Sequence, residues 1–260
     1  MSSWKALESE LDRWQEAGLS ATLWWRDDDA ELPSPALDRL LALRASRDLP
    51  LALAVVPAGA GAALAERLAR ERAVRVLQHG YAHRNHAAET EKTIELGPHR
   101  PLTKVMAELR SGRRRLEVLF GRRFHDIVVP PWNRIDGRVV GALGAAGYHG
   151  LSVSGPRAQR FAGPGLVQVN VHMDVMDWSS RRFLGTVPTL KRAVHHLRLR
   201  REGVADVTEP TGLMTHHLAH DRAAWDFIAR FLDETEGHSA GRWIGTALAF
   251  RQPRGSDRTP

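Results

Sequence analysis

The sequence predicts one α/β domain: a mainly parallel sheet, closed or nearly closed into a (β/α) barrel of about seven strands. Three observations carry this reading. Strand-like and helix-like segments alternate along the chain. The length of 260 residues is ordinary for one α/β barrel and buries roughly three quarters of the unfolded surface. No internal repeat, low-complexity tract or linker divides the chain. Residues 1–250 are expected to form the barrel, with 1–18 as an N-terminal helix. The last residues, 251–260 (RQPRGSDRTP), read as a loose tail.

Each element has a local reason. Trp4, Leu7, Leu11 and Trp14 recur at helical spacing, which predicts a helix over 3–17. The apolar run 21–25 predicts the first strand. Ser34, an N-cap type, introduces a helix over 35–43. Apolar 51–56 reads as a buried strand, 60–70 as a helix, 74–77 as a third strand and 102–119 as a long amphipathic helix. A short strand over 127–129 and a helix over 136–146 follow. Strands are expected at 151–154 and 166–171, a helix at 189–199, a strand at 213–215 and a helix at 222–232.

Composition limits the chemistry. There is no cysteine, so disulfides and thiolate metal sites are excluded and any metal must be held by His, Asp or Glu. The start of the chain is amphipathic and acidic rather than basic and apolar, and no apolar stretch approaches the roughly 20 residues of a membrane span. No membrane partner and a cytoplasmic location are the expectations. The net charge is +7, but the Arg residues are scattered instead of forming one basic face with interleaved aromatics. A nucleic-acid partner is therefore not expected.

Barrel enzymes place their chemistry in the loops after the carboxyl ends of strands. The polar residues of this chain concentrate there. After the first predicted strand comes Arg26-Asp27-Asp28-Asp29-Ala30, three carboxylates that repel one another and call for positive charge nearby. After the third comes His79-Gly80-Tyr81-Ala82-His83. If a helix begins there, His79 and His83 share a face at i, i+4 and can reach one ion. After the fourth, Pro130-Pro131-Trp132 forms a rigid loop able to aim a backbone N–H. Asp174-Val175-Met176-Asp177-Trp178 follows. Last come Thr215-His216-His217, a doubled His that packing alone explains poorly.

In this order the segments resemble the polysaccharide deacetylase family (carbohydrate esterase family four, NodB-homology type). Its motifs TFDDG, HSxxH, RxPY, DxxDW and LxH match RDDDA (26–30), HGYAH (79–83), VPPW (129–132), DVMDW (174–178) and MTH (214–216), over about 190 residues. The resemblance implies a distorted (β/α) barrel and a divalent metal, usually zinc. It implies Asp29, His79 and His83 as metal ligands, Asp28 as base and His216 as acid. Trp132, Asp177 and Trp178 are expected to contact the substrate. A register one residue earlier makes Asp27 the base and Asp28 the ligand; His217 is the alternative acid. The family's third-motif Arg, which braces the base, is here Val129, with Arg26 or Arg134 as possible replacements.

The implied activity is removal of an acetyl or other acyl group from an N- or O-acylated sugar or related small molecule. Asp28 takes a proton from a metal-activated water, and His216 protonates the leaving group. Two other classes stay open: a metal-free amidohydrolase acting on C–N bonds on the same barrel, and a non-catalytic carbohydrate-binding barrel.

Overall fold

A computed structural model describes residues 3–252; of the expected tail, residues 253–260 lie outside them. In chain order the elements are α1 (Ser3–Glu16), β1 (Ala21–Ala30), α2 (Pro35–Ala45), β2 (Leu51–Val55), α3 (Ala62–Leu68), β3 (Val74–His79), α4 (Leu102–Phe120), β4 (Phe124–Val129), α5 (Gly137–Leu143) and β5 (Gly150–Leu151). There follow β6 (Phe161–Gly163), β7 (Leu166–Gln168), β8 (Met173–Asp174), β9 (Met176–Asp177), β10 (Arg182–Phe183), α6 (Thr186–Arg201), β11 (Thr211–Thr215), α7 (Arg222–Glu236), β12 (Gly241–Trp243) and α8 (Thr246–Ala249).

The main sheet runs β6-β7-β5-β4-β3-β2-β1-β11-β8, with β12 beside β1. All its pairings are parallel except β6 with β7. The ladder is an open path, not a closed barrel. The segment 166–174 nearly joins its ends: β7 pairs with β5 at one end of the segment, and β8 pairs with β11 at the other. The fold is thus a single α/β domain of distorted barrel type.

Burial explains the strands. Every residue of β2 and β11 is buried, as expected of parallel strands covered on both faces. Ser34 caps α2 by accepting from the Leu37 N–H. α1 packs against α6, where Arg201 grips the buried Glu10 carboxylate at 2.7 and 3.2 Å. Three expectations shift. β1 extends to Ala30, so the carboxylates lie within the strand's end instead of after it. The strand expected over 151–154 keeps a continuous ladder only at Gly150–Leu151, with one further bridge from Ser154 to Val171. β6, β8, β12 and the β9–β10 hairpin went unpredicted, being two or three residues long. The parallel arrangement puts the ends of β1, β3, β4 and β11 on one edge of the sheet.

Candidate active site

Successive residues of a strand face opposite ways, so Asp27 and Asp29 should share a side. They do not. The β1–β2 ladder breaks between Asp27 and Ala30, and Asp29 adopts φ +71°, a left-handed conformation uncommon for a non-glycine residue. Asp28 and Asp29 consequently both line a pocket of about 690 Å³, while Asp27 does not. Asp27 is sealed between β1 and β11. It accepts from His217 Nδ1 at 2.5 Å, Thr215 Oγ1 at 2.6 Å and the His217 N–H at 3.1 Å. Burial alone raises its pKa; the His217 charge and these hydrogen bonds outweigh burial and hold it below the ordinary value. For His217 burial works downward, and Asp27 outweighs it to raise the imidazole. His217 is thus committed to Asp27 and does not line the pocket.

Asp28 is gripped by Arg26, its neighbour on the same strand face. Nε and Nη2 of Arg26 donate to the two carboxylate oxygens, each at 2.8 Å. The guanidinium is fully buried and is itself oriented by Ser152 Oγ (2.7 Å) and Asn133 Oδ1 (2.6 Å). A bidentate, charge-assisted pair fixes the position and orientation of the carboxylate. Arg26 therefore supplies from β1 the brace that Val129 cannot. Arg134 does not, since its Nη1 turns to the Thr93 carbonyl and hydroxyl.

His79 ends β3, but no helix follows. Gly80 and His83 have φ of +53° and +52°, and the loop backbone hangs on the buried Glu95 carboxylate. Glu95 accepts from Tyr81, Ala82 and Arg84 N–H groups at 3.0, 2.8 and 3.4 Å. The expected i, i+4 face is replaced by a folded loop. Its result is still convergence: His79 Nε2 and His83 Nε2 lie 2.9 and 3.3 Å from Asp29 Oδ1.

The hydrogen bonding tests whether a cation fits. His79 Nδ1 lies 3.0 Å from the Val129 carbonyl, which can only accept, so Nδ1 carries the proton. A neutral His79 then aims its Nε2 lone pair at a carboxylate oxygen, and that oxygen is buried without a hydrogen-bond partner. Acceptor facing acceptor is repulsive unless a proton or cation lies between them. Without an ion the site draws a proton: burial lowers the His79 pKa, but Asp29 and Asp28 outweigh it and raise the imidazole. Burial would raise the Asp29 pKa, yet the two histidines push it far below the carboxylate range. Two imidazole nitrogens and one carboxylate oxygen that open on a pocket suit a catalytic zinc ion.

His216, just after β11, faces Asp28 across the pocket, with Nε2 3.9 Å from Asp28 Oδ2, too far for a hydrogen bond. Its ring and that of Trp178 pack nearly perpendicular, at a centroid distance of 4.5 Å. Its backbone N–H donates to His220 Nε2 at 3.0 Å. Burial pushes the His220 pKa down to about 4, leaving that nitrogen free to accept. Trp132, at φ +56°, lies 4.4 Å from the His83 ring, centroid to centroid. Trp132 and Trp178 both line the pocket. Asp177 does not, which corrects its expected contact with substrate: its carboxylate accepts from Ser179 and Ser180 in the β9–β10 turn. Asp174 faces the pocket instead, accepting from the Met176 N–H (2.9 Å) and Trp178 Nε1 (2.7 Å). Burial raises its pKa.

Reading the sequence missed Glu95, Asn133 and Ser152 as supports. Nothing marks them locally, because each acts across 11 or more residues. It also missed a second group: His172 Nε2 and His196 Nε2 lie 3.4 and 3.9 Å from Glu209 Oε2. The two rings stack at 3.4 Å, tilted by only 13°, so their in-plane lone pairs run side by side and do not converge. His172 Nδ1 accepts from the Gly212 N–H at 2.9 Å, which leaves the ring proton on Nε2. This group does not fit a metal.

The sequence matches no family model and no curated protein. Solved structures do match. A deacetylase with bound substrate superposes with TM-score 0.55 at 15% identity, over 89% of this chain and 91% of that one. A Mycobacterium smegmatis protein assigned as a polysaccharide deacetylase gives 0.61 at 16%, over 93% of each chain. The chitin deacetylase of Colletotrichum lindemuthianum gives 0.56 at 16%, over 90% and 89%. The chain has the polysaccharide deacetylase fold. Within that deacetylase fold, the pocket and the Asp28, Asp29, His79, His83 and His216 side chains sit at the carboxyl ends of the strands, where barrels carry chemistry.

Proposed function

We propose that the chain is a metal-dependent hydrolase that removes an acyl group, acetyl in the first instance, from an N- or O-acylated sugar or related small molecule. The observation that carries this reading is the convergence of Asp29, His79 and His83 in one pocket with an Arg-braced Asp28 and, opposite it, His216. Asp29, His79 and His83 would hold the ion, zinc by the nature of the donors. A divalent ion there supplies Lewis acidity toward water and the acyl carbonyl.

The protein's own groups do the rest. Asp28 accepts the proton of the attacking water, and Arg26 keeps its carboxylate aimed. His216 donates a proton to the departing amine or alcohol. The 3.9 Å between them leaves each group free to serve its own partner. Trp132 and Trp178 offer faces for a sugar ring. The paired acceptors at His79 and Asp29 favour this reading over a metal-free amidohydrolase, which gains nothing from two facing lone pairs. No helix among the described residues is long and apolar enough to cross a membrane. The test is acetate release from N-acetylated sugars by zinc-loaded protein. Release abolished by chelation and restored by zinc is expected; equal release after chelation would overturn metal dependence.

A further inference from the structure

Two cations line the pocket without a role in the proposed deacylation. Arg134 is pinned by one end only. Its Nη1 donates to the Thr93 carbonyl at 2.7 Å and to Thr93 Oγ1 at 2.9 Å, which uses both Nη1 protons. Its Nε and Nη2 donors have no protein partner among the described residues, and neither is sealed from solvent. That Nε–Nη2 edge is the same fork by which Arg26 grips Asp28. Arg192 borders the pocket from α6; it is exposed and has no carboxylate partner among the described residues.

The pocket's acids are already engaged. Asp28 is matched by Arg26, Asp29 faces His79 and His83, and Asp174 accepts from Met176 and Trp178. None is left for Arg134 or Arg192. A guanidinium fork on a pocket wall, held from behind and lacking an anion in front, has the donor geometry that binds a carboxylate or a phosphate through two parallel hydrogen bonds. A pocket of about 690 Å³ is within the usual range for a small-molecule site.

We propose that Arg134 and Arg192 form an anion subsite, which seats the carboxylate or phosphate of an acidic acylated sugar. The preferred substrates would then be small acidic sugars and not neutral polysaccharide. This inference rests on the deacylase reading for the reaction, but the anion subsite can be tested without turnover.

The probes are N-acetylglucosamine, its 6-phosphate, and N-acetylmuramic acid, which carries a carboxylate. Binding to zinc-loaded protein is measured by calorimetry, and acetate release is followed in parallel. At least one acidic sugar should bind about tenfold or more tightly than the neutral one, as a charge-assisted contact provides. Whichever acidic sugar binds identifies phosphate or carboxylate as the natural anion. Arg192→Gln and Arg134→Gln should each remove most of that preference. Arg192 is exposed on a helix, so its variant will fold even if Arg134→Gln disturbs the Thr93 loop. Acidic-sugar binding that depends on the arginines but comes without acetate release would support the subsite and count against the deacylase reading. Neutral and acidic sugars bound alike would overturn the subsite, as would a preference unchanged in both variants, which would place the anion on the metal. Acetate release from neutral sugar with no acidic preference would overturn the subsite alone.

Discussion

Two groups of two histidines and one carboxylate occupy this fold, and the direction of one hydrogen bond separates them. In the group at the pocket, His79 Nδ1 donates to a carbonyl, so its Nε2 lone pair is presented to Asp29. In the group that His196 of α6 forms with His172, just before β8, and Glu209, just before β11, His172 Nδ1 accepts from a backbone N–H, so its Nε2 carries the proton. The first is left with acceptors facing each other at the edge of a cavity. In the second, although His172 borders the same pocket, the side chains are almost wholly buried and the rings stack flat, with the Glu209 carboxylate occupied by the Arg157 and Asn170 N–H groups. Residue type and proximity are alike in both; the backbone partner of Nδ1 decides which can hold a cation. Variants in the first group should therefore change turnover and metal content, and variants in the second should change stability.

The largest effect is expected at the base. Asp28→Asn should lower kcat by about 10²–10⁴, the range for a general acid–base group, while zinc content stays near one per chain. Asp27→Asn should instead lower the melting temperature, because it breaks the buried tie to His217 and Thr215. If Asp27→Asn abolishes turnover and leaves stability intact, the assignment of Asp28 as base is one residue out.

His216→Ala should cost a similar factor on an N-acetyl sugar. It should cost much less on an activated phenyl acetate, whose leaving group departs without a proton. An equal loss on both would mark His216 as structural. A smaller effect is expected for Trp178→Ala: as one face of the sugar site, it should raise KM several-fold with kcat nearly unchanged, since stacking on an aromatic is worth about 1 kcal/mol.

The second group makes a prediction of pH dependence. Burial, helped by the charges of His172 and Arg200, pushes the His196 pKa down to about 2, whereas an unfolded histidine titrates near 6.5. Below pH 6.5 the unfolded chain takes up a proton that the folded chain refuses, so stability is lost as pH falls. At pH 5 this costs about 2 kcal/mol. Denaturant unfolding of His196→Gln should lose less stability than wild type between pH 7 and pH 5, by about that amount. Parallel pH curves for the two proteins would show that His196 is not held neutral.

The order of strands and helices was legible because periodicity is local. Ser34 capped where expected, and α4 ended at Phe120, one residue past its expected end. The pocket residues were legible because they sit at strand ends. Their geometry was not. The HGYAH loop carries helical spacing, but Glu95, eleven residues past Arg84, takes the backbone N–H groups that a helix would have used. The order of the three aspartates followed from a break in strand alternation at Asp29, which no side-chain pattern announces. Of the two expected braces, Arg26 could have been preferred to Arg134 from the sequence, since a strand puts i and i+2 on one side. The pairing of His172 with His196 and Glu209 could not, because it exists only once α6 packs beside β8.

Metal content, measured by elemental analysis after equilibration with zinc and gel filtration, tests the central claim most directly. Wild type and His196→Gln should each retain one ion per chain. His79→Ala and Asp29→Asn should retain almost none, while their circular dichroism stays that of the folded barrel. Zinc lost in His196→Gln and kept in His79→Ala and Asp29→Asn would contradict the account, because it would put the ion in the group that the hydrogen bonds exclude.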